Sequence, residues 1–169
     1  MEDNEAVEKI LSIIHNKWFT LTCRLLLGFL FLFTACVKLP DIKMRSVNAV
    51  YEYGILPVEP VNLAAAFGYA LPFLELFAGL ALVLGILTRL AAIGGGLLGL
   101  SFTIGEAVVL LQGRNINCGC FGGIMDTLVS QTLYLSILIV VLSILIATSP
   151  NLNFLSLGNK LGMKTGKFE

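Results

Sequence analysis

An all-α fold is what this chain predicts: a polytopic membrane protein built as a four-transmembrane-helix bundle with both termini cytoplasmic. Three observations lead there. Hydrophobic residues make up 57% and charged residues only 13% of the 169 positions, and the mean hydropathy is +0.90, far from the usage of soluble domains. The apolar residues fall into four blocks, 18–37, 63–87, 90–111 and 128–147, each close to the roughly 20 residues a helix needs to cross hydrocarbon. Basic residues are shared unequally between the two ends of these blocks: Lys9, Lys17, Arg24, Arg89, Lys160, Lys164 and Lys167 on one side, Lys38, Lys43, Arg45 and Arg114 on the other. The richer side is cytoplasmic. A formal net charge of zero argues against a nucleic-acid partner, and the lipid bilayer is the first partner the composition implies.

The chain divides into a leader at 1–17, a four-helix membrane domain at 18–148 and a tail at 149–169. Glu2, Asp3, Glu5 and Glu8 in the leader replace the basic n-region of a secretory signal. Val7, Ile10, Leu11 and Ile14 repeat at helical spacing, so the leader is expected to lie along the inner membrane surface. Phe33-Thr34-Ala35-Cys36 is only a faint lipoprotein box. The second block carries Pro72, which removes a backbone donor and is expected to kink the helix, and Glu75 on nearly the same face. Thr88-Arg89 is the expected turn into the third block, so these two helices form an antiparallel hairpin. Gly95 and Gly99 give the third block a small-xxx-small face for close helix approach. Longer links, 38–62 and 112–127, join the remaining blocks.

The second link holds the best candidate for chemistry, Cys118-Gly119-Cys120-Phe121-Gly122-Gly123. Two sulfurs separated by one residue close a very small ring, and strained, accessible disulfides are the readily exchanged ones. Gly119, Gly122 and Gly123 give the backbone freedom, while Arg114 and the N-terminus of the fourth helix, with Asp126 as a cap, favour a thiolate. In the predicted topology the motif faces outward, where disulfides persist. Two rival readings stand beside exchange: a permanent disulfide pinching the loop, and capture of a soft metal such as copper, zinc or mercury by Cys118 and Cys120. No further Cys, His or Met cluster completes a metal site, since His15 lies at the other end.

Cys36, near the outer end of the first span, is a candidate relay or resolving thiol. Cys23 lies about 20 Å of helix away and reads as a small buried hydrophobe. Glu75 and Glu106, carboxyls within spans, must be neutral, paired or facing a cavity. Either is a candidate proton handler or substrate contact, and an ion pair between Glu106 and Lys38 is the structural alternative.

At Val37-Lys38-Leu39, Tyr53-Gly54-Ile55-Leu56-Pro57, Leu71-Pro72-Phe73-Leu74-Glu75-Leu76 with Gly79 and Gly85, and Cys118-Gly119-Cys120-Phe121-Gly122, the chain resembles the MauE branch of the MauE/DoxX family of small four-helix membrane proteins. The match covers about residues 24–148. The resemblance implies a bacterial cytoplasmic-membrane protein engaged in extracytoplasmic thiol-disulfide chemistry beside a thioredoxin-like or disulfide-containing partner. In methylamine utilisation, the resemblance implies a link to maturation of the disulfide-rich small subunit of methylamine dehydrogenase. Electrons then need a source or sink, and a membrane quinone is the candidate cofactor, by analogy with other four-helix thiol oxidoreductases. A non-catalytic docking subunit is the remaining possibility.

Overall fold

The computed structural model describes residues 16–122 and 127–149. Its long helices are α1 (Lys17–Lys38), α3 (Leu63–Leu84), α4 (Thr88–Leu111) and α5 (Val129–Thr148), with a short α2 (Asn48–Tyr53) between the first two. All four long helices have the length and apolar character to cross a membrane, and no β-strand occurs among the described residues. The expectations for positions 1–15, Gly123, Asp126 and the tail from 150 onward lie outside the described residues.

The side chain of Asn16 opens α1 by accepting from the Trp18 N–H, satisfying one orphan donor of the first turn. At the same end of the bundle, Thr20 and Ser149 join α1 to the end of α5 through a 2.9 Å hydroxyl hydrogen bond. The most extensive packing is between α4 and α5 and between α1 and α3; α3 and α4 touch less, although adjacent in sequence. Leu27, Phe31, Leu82, Leu98, Ile139 and Ile146 form the shared core. The small-residue face of α4 is used inside the bundle: a Cβ on Gly99 would lie 2.7 Å from Ile139 of α5, and one on Gly95 would lie 2.9 Å from Phe31 of α1.

Three details correct the sequence reading. The turn between α3 and α4 is Gly85–Leu87, and Thr88-Arg89 already belongs to α4. Gly85 takes φ +70° and the Ile86 N–H reaches back 3.0 Å to the Ala81 carbonyl, a glycine helix stop that ends α3 three residues before the hydropathy does. The 38–62 link is largely helical: a 3₁₀ turn at Leu39–Asp41, a π turn at Lys43–Val47 and then α2. Arg24 and Lys38, counted above as flanking charges, are buried within α1.

Pro72 sits inside α3 without ending it. Because proline has no N–H, the Gly68 carbonyl one turn earlier loses its helical donor; the Ser46 hydroxyl supplies one at 2.7 Å. The absence of a Cβ at Gly68 lets Val47 approach closely, since an added Cβ would lie 2.7 Å from its Cα. The link is thereby clamped onto α3, and Arg45 fastens it to α1 with a 2.7 Å hydrogen bond to the Val37 carbonyl. This clamp places α2 against the Cys118–Cys120 loop.

Candidate functional site

The loop after α4 folds back into the bundle. Gly113 turns the chain at φ +72°, and Arg114 donates to the Glu52 carbonyl at 2.8 Å, tying the turn to α2. An isolated antiparallel bridge pairs Asn117 with Leu128, with Cys118 N–H donating to Thr127 O at 2.9 Å and Val129 N–H to Ile116 O at 3.0 Å. From there, Gly119 to Gly122 make a turn closed by a 3.0 Å backbone hydrogen bond. Gly119 adopts φ +66° against Ala49, and a Cβ on Gly122 would lie 2.6 Å from Val37. A side chain at either position would meet both backbone strain and a neighbour. The ring of Phe121 lies 6.2 Å from that of Phe33, anchoring the turn on α1.

Cys118 and Cys120 are joined as a disulfide, with Cα atoms 5.2 Å apart. Cys118 is 3% exposed, whereas Cys120 is half-buried. Directly beside them is Glu106 of α4, itself 0% exposed. Its Oε1 lies 3.2 Å from Cys118 Sγ and 3.7 Å from Cys120 Sγ, while the Thr132 hydroxyl of α5 donates to the Leu128 and Val129 carbonyls one turn back. From α2, the Tyr53 hydroxyl donates to the Cys118 carbonyl at 3.4 Å and lies 3.5 Å from its sulfur. Burial pushes the Tyr53 phenol well above its ordinary value. It therefore remains a neutral donor at any physiological pH.

This arrangement has a definite chemical capacity. In the reduced state a thiol at Cys118 has a proton acceptor at hydrogen-bond range, and in the oxidised state a departing Cys118 thiolate has a carboxyl positioned to return the proton. The same reduced groups form a donor set: the ligand atoms of Glu106, Cys118 and Cys120 all lie within 4.8 Å of one another.

Glu106 does not pair with Lys38, contrary to the sequence expectation. Lys38 Nζ is 2.7 Å from Oε1 of Glu75, with both side chains buried, and lies 5.6 Å from the centre of the Phe102 ring. The reason is helix pairing. Lys38 is on α1, whose main neighbour is α3, the helix that carries Glu75. Thr34, one turn before Lys38 on α1, keeps its hydroxyl within the helix, donating to the Phe31 carbonyl at 3.0 Å. Cys36 is free and exposed, on the outward stripe that includes Phe29 and Phe33; the structure does not bring it into the disulfide. Cys23 is buried, as expected.

Among the described residues, cavities adjoin the disulfide on two sides. A small one of about 20 Å³ lies between the Lys38–Glu75 pair and Cys120, with Thr34, Phe102, Thr132 and Ser136 in its wall. A larger one of about 320 Å³ fills the space between α3 and α4 below α2; Cys118, Gly119, Cys120, Lys38 and Tyr53 form its polar end, and Phe67, Leu71, Phe102 and Ile104 are among its apolar walls.

Sequence reasoning missed the contact of Glu106 with the sulfurs, the role of Tyr53 beside them and the larger cavity. One signal was present: Glu106 and Cys118 are 12 residues apart with Gly113 between them, so a chain reversal at that glycine returns the cysteine toward the carboxyl.

Neither a curated protein nor a solved structure matches the chain significantly. A family model does match, that of the methylamine utilisation protein MauE, over residues 16–149. That span contains every described helix, the disulfide and both buried carboxylates. Four apolar helices and a family match across nearly all of the described chain make this a multi-pass membrane protein that belongs to the MauE family.

Proposed function

We propose that the protein is a membrane thiol-disulfide redox protein that exchanges disulfides through Cys118 and Cys120 with a thioredoxin-like or other disulfide-containing partner outside the cytoplasm. The observation that carries this reading is the asymmetry of the pair: a buried sulfur held beside a carboxyl, and a more exposed sulfur bonded to it. Disulfide exchange requires one accessible sulfur and one resolving sulfur, and these two positions supply them.

Cys120 is the entering sulfur. A partner thiolate attacks Cys120 Sγ, the Cys118–Cys120 bond breaks, and Cys118 leaves as a thiolate that takes a proton from Glu106. The partner's second thiolate then attacks its own sulfur in the mixed disulfide, closing the partner's disulfide and releasing Cys120 as a thiolate that takes a proton from water. Two electrons have moved to the pair, and the partner has been oxidised. The reverse sequence reduces a partner disulfide. The family's link to methylamine utilisation makes a disulfide-rich protein of that metabolism, such as the small subunit of methylamine dehydrogenase, the natural client. In this reading the loop lies on the outer face of a bacterial cytoplasmic membrane with both termini inside, a placement supported by the excess of basic residues on the side of the termini.

The trapping experiment follows from the assigned roles. Cys118→Ser keeps the entering sulfur and removes the resolving one, so it accumulates a mixed disulfide with the partner in oxidising membranes. Cys120→Ser, with only the buried sulfur left, accumulates none. Equal trapping by both variants would remove the assignment of Cys120, and no adduct from either would remove exchange.

A second reading has one observation in its favour, the three-atom donor set of Glu106, Cys118 and Cys120. Thiolates of this kind bind copper(I) or zinc. Reduced protein that retains either metal stoichiometrically through gel filtration, and loses it in Glu106→Gln, would support it.

A further inference from the structure

We infer that the cavity between α3 and α4 is a binding site for a lipid-soluble quinone that takes electrons from Cys118 and Cys120. The inference rests on the exchange reading above and supplies the oxidant that reading lacks.

Three features of the cavity point to this occupant. Its volume, about 320 Å³, is within the range of small-ligand sites, roughly 300–1,000 Å³. Its walls are mostly apolar, and Ser101 and Ile104 at its edge are exposed on the side of a membrane-spanning helix, so a ligand enters from lipid. Its polar end is lined by Cys118, Cys120, Lys38 and Tyr53. A molecule that fits has an apolar body, a head that accepts hydrogen bonds and the capacity to take two electrons from a dithiol. A quinone combines these properties: its carbonyl oxygens accept from Lys38 and Tyr53, and its ring reaches the sulfur pair.

The step balances. The two S–H bonds of the reduced pair break and the Cys118–Cys120 bond forms. Two electrons pass to the quinone ring, and the two protons end on its carbonyl oxygens, giving a hydroquinone. The Cys118 proton leaves through Glu106, 3.2 Å away. The Lys38 ammonium, paired on one side with Glu75 at 2.7 Å, has further N–H donors to offer an oxygen of the head. This direction of flow makes the protein an oxidant of its partner.

The test uses the full chain in lipid nanodiscs, reduced and freed of reductant, mixed with a short-tail ubiquinone analogue under anaerobic conditions. Hydroquinone formation is followed spectroscopically, and reaction of the same protein with a small aromatic disulfide is measured in parallel. One hydroquinone per protein is expected, and none from Cys118→Ser. Ser101→Trp and Ile104→Phe, both at the exposed edge of the cavity, are expected to raise the quinone concentration needed for half-maximal rate by about tenfold, equivalent to about 1.4 kcal/mol of binding. Reaction with the aromatic disulfide but no hydroquinone would overturn the quinone site and leave exchange standing. Failure of both reactions would overturn exchange as well. Hydroquinone formation with the same concentration dependence in both edge variants would place the reaction outside this cavity, leaving the space to a lipid acyl chain.

Discussion

Glu75 and Glu106 are both carboxyls within membrane-spanning helices, both essentially inaccessible, and both next to the same half of the bundle, yet their surroundings are opposite. Glu75 meets a lysine ammonium at 2.7 Å. Glu106 meets two sulfurs. A carboxyl within the bilayer is expensive unless paired or given a task. The first is compensated by charge, which fixes α1 against α3. The second has no such cation at its sulfur-facing oxygen and instead faces the groups whose protons move during thiol chemistry. Two carboxyls in the same bilayer environment are thus held by different chemistry, one by a charge and one beside a sulfur pair.

The largest expected effect breaks the structural side of this comparison. Glu75→Gln leaves the Lys38 ammonium buried without its counter-charge and is expected to destabilise the bundle by about 3–5 kcal/mol, read as a lower midpoint in detergent denaturation. Replacing both partners, Lys38→Met with Glu75→Leu, should restore most of that loss, because a buried ion pair and an apolar pair of similar volume are often close in net stability. Failure of the double variant to recover would mean that the pair does more than hold α1 to α3.

Glu106→Gln attacks the other side. Loss of a proton acceptor or donor typically slows a reaction by about 10²–10⁴-fold, so exchange with a small aromatic disulfide should slow by at least the lower figure while the denaturation midpoint moves far less than in Glu75→Gln. The pH dependence of the rate should also change in Glu106→Gln and remain in Glu75→Asp. Equal rates in Glu106→Gln and the parent protein would make both carboxyls structural.

The loop offers a smaller effect. Gly119→Ala places a Cβ at positive φ against Ala49, with an expected loss of about 1–3 kcal/mol from overpacking and about 1–2 from the left-handed backbone. Adding Ala49→Gly should recover the packing part alone. Tyr53→Phe should be smallest, about 0.5–1.5 kcal/mol for one neutral hydrogen bond, measurable as a modest shift in the reduction midpoint of the pair.

Much of this molecule was legible from residues alone, for a physical reason. Four spans appear because length and hydropathy are properties of each segment by itself, and the two sulfurs stand out because thiols one residue apart have few ordinary uses. The partners of Lys38 and Glu106 depend on which face of each helix turns inward. In α3 and α4 the outward face is as apolar as the inward one, since lipid surrounds it, so periodicity gives little rotational information. The helical link escaped for a similar reason: Ser46 is held by a carbonyl that Pro72 frees on a different helix, a pairing set by tertiary contact. Gly85 stopped α3 inside an unbroken apolar run, where backbone geometry overrode hydropathy.

The most direct measurement is thiol labelling in intact cells with a membrane-impermeant maleimide, in a Cys23→Ser, Cys36→Ser background, with and without prior reduction. An exchange pair that rests oxidised on the outer face will label only after reduction, and first at Cys120. Labelling without reduction would contradict a resting disulfide, and no labelling after reduction would contradict the outward-facing loop.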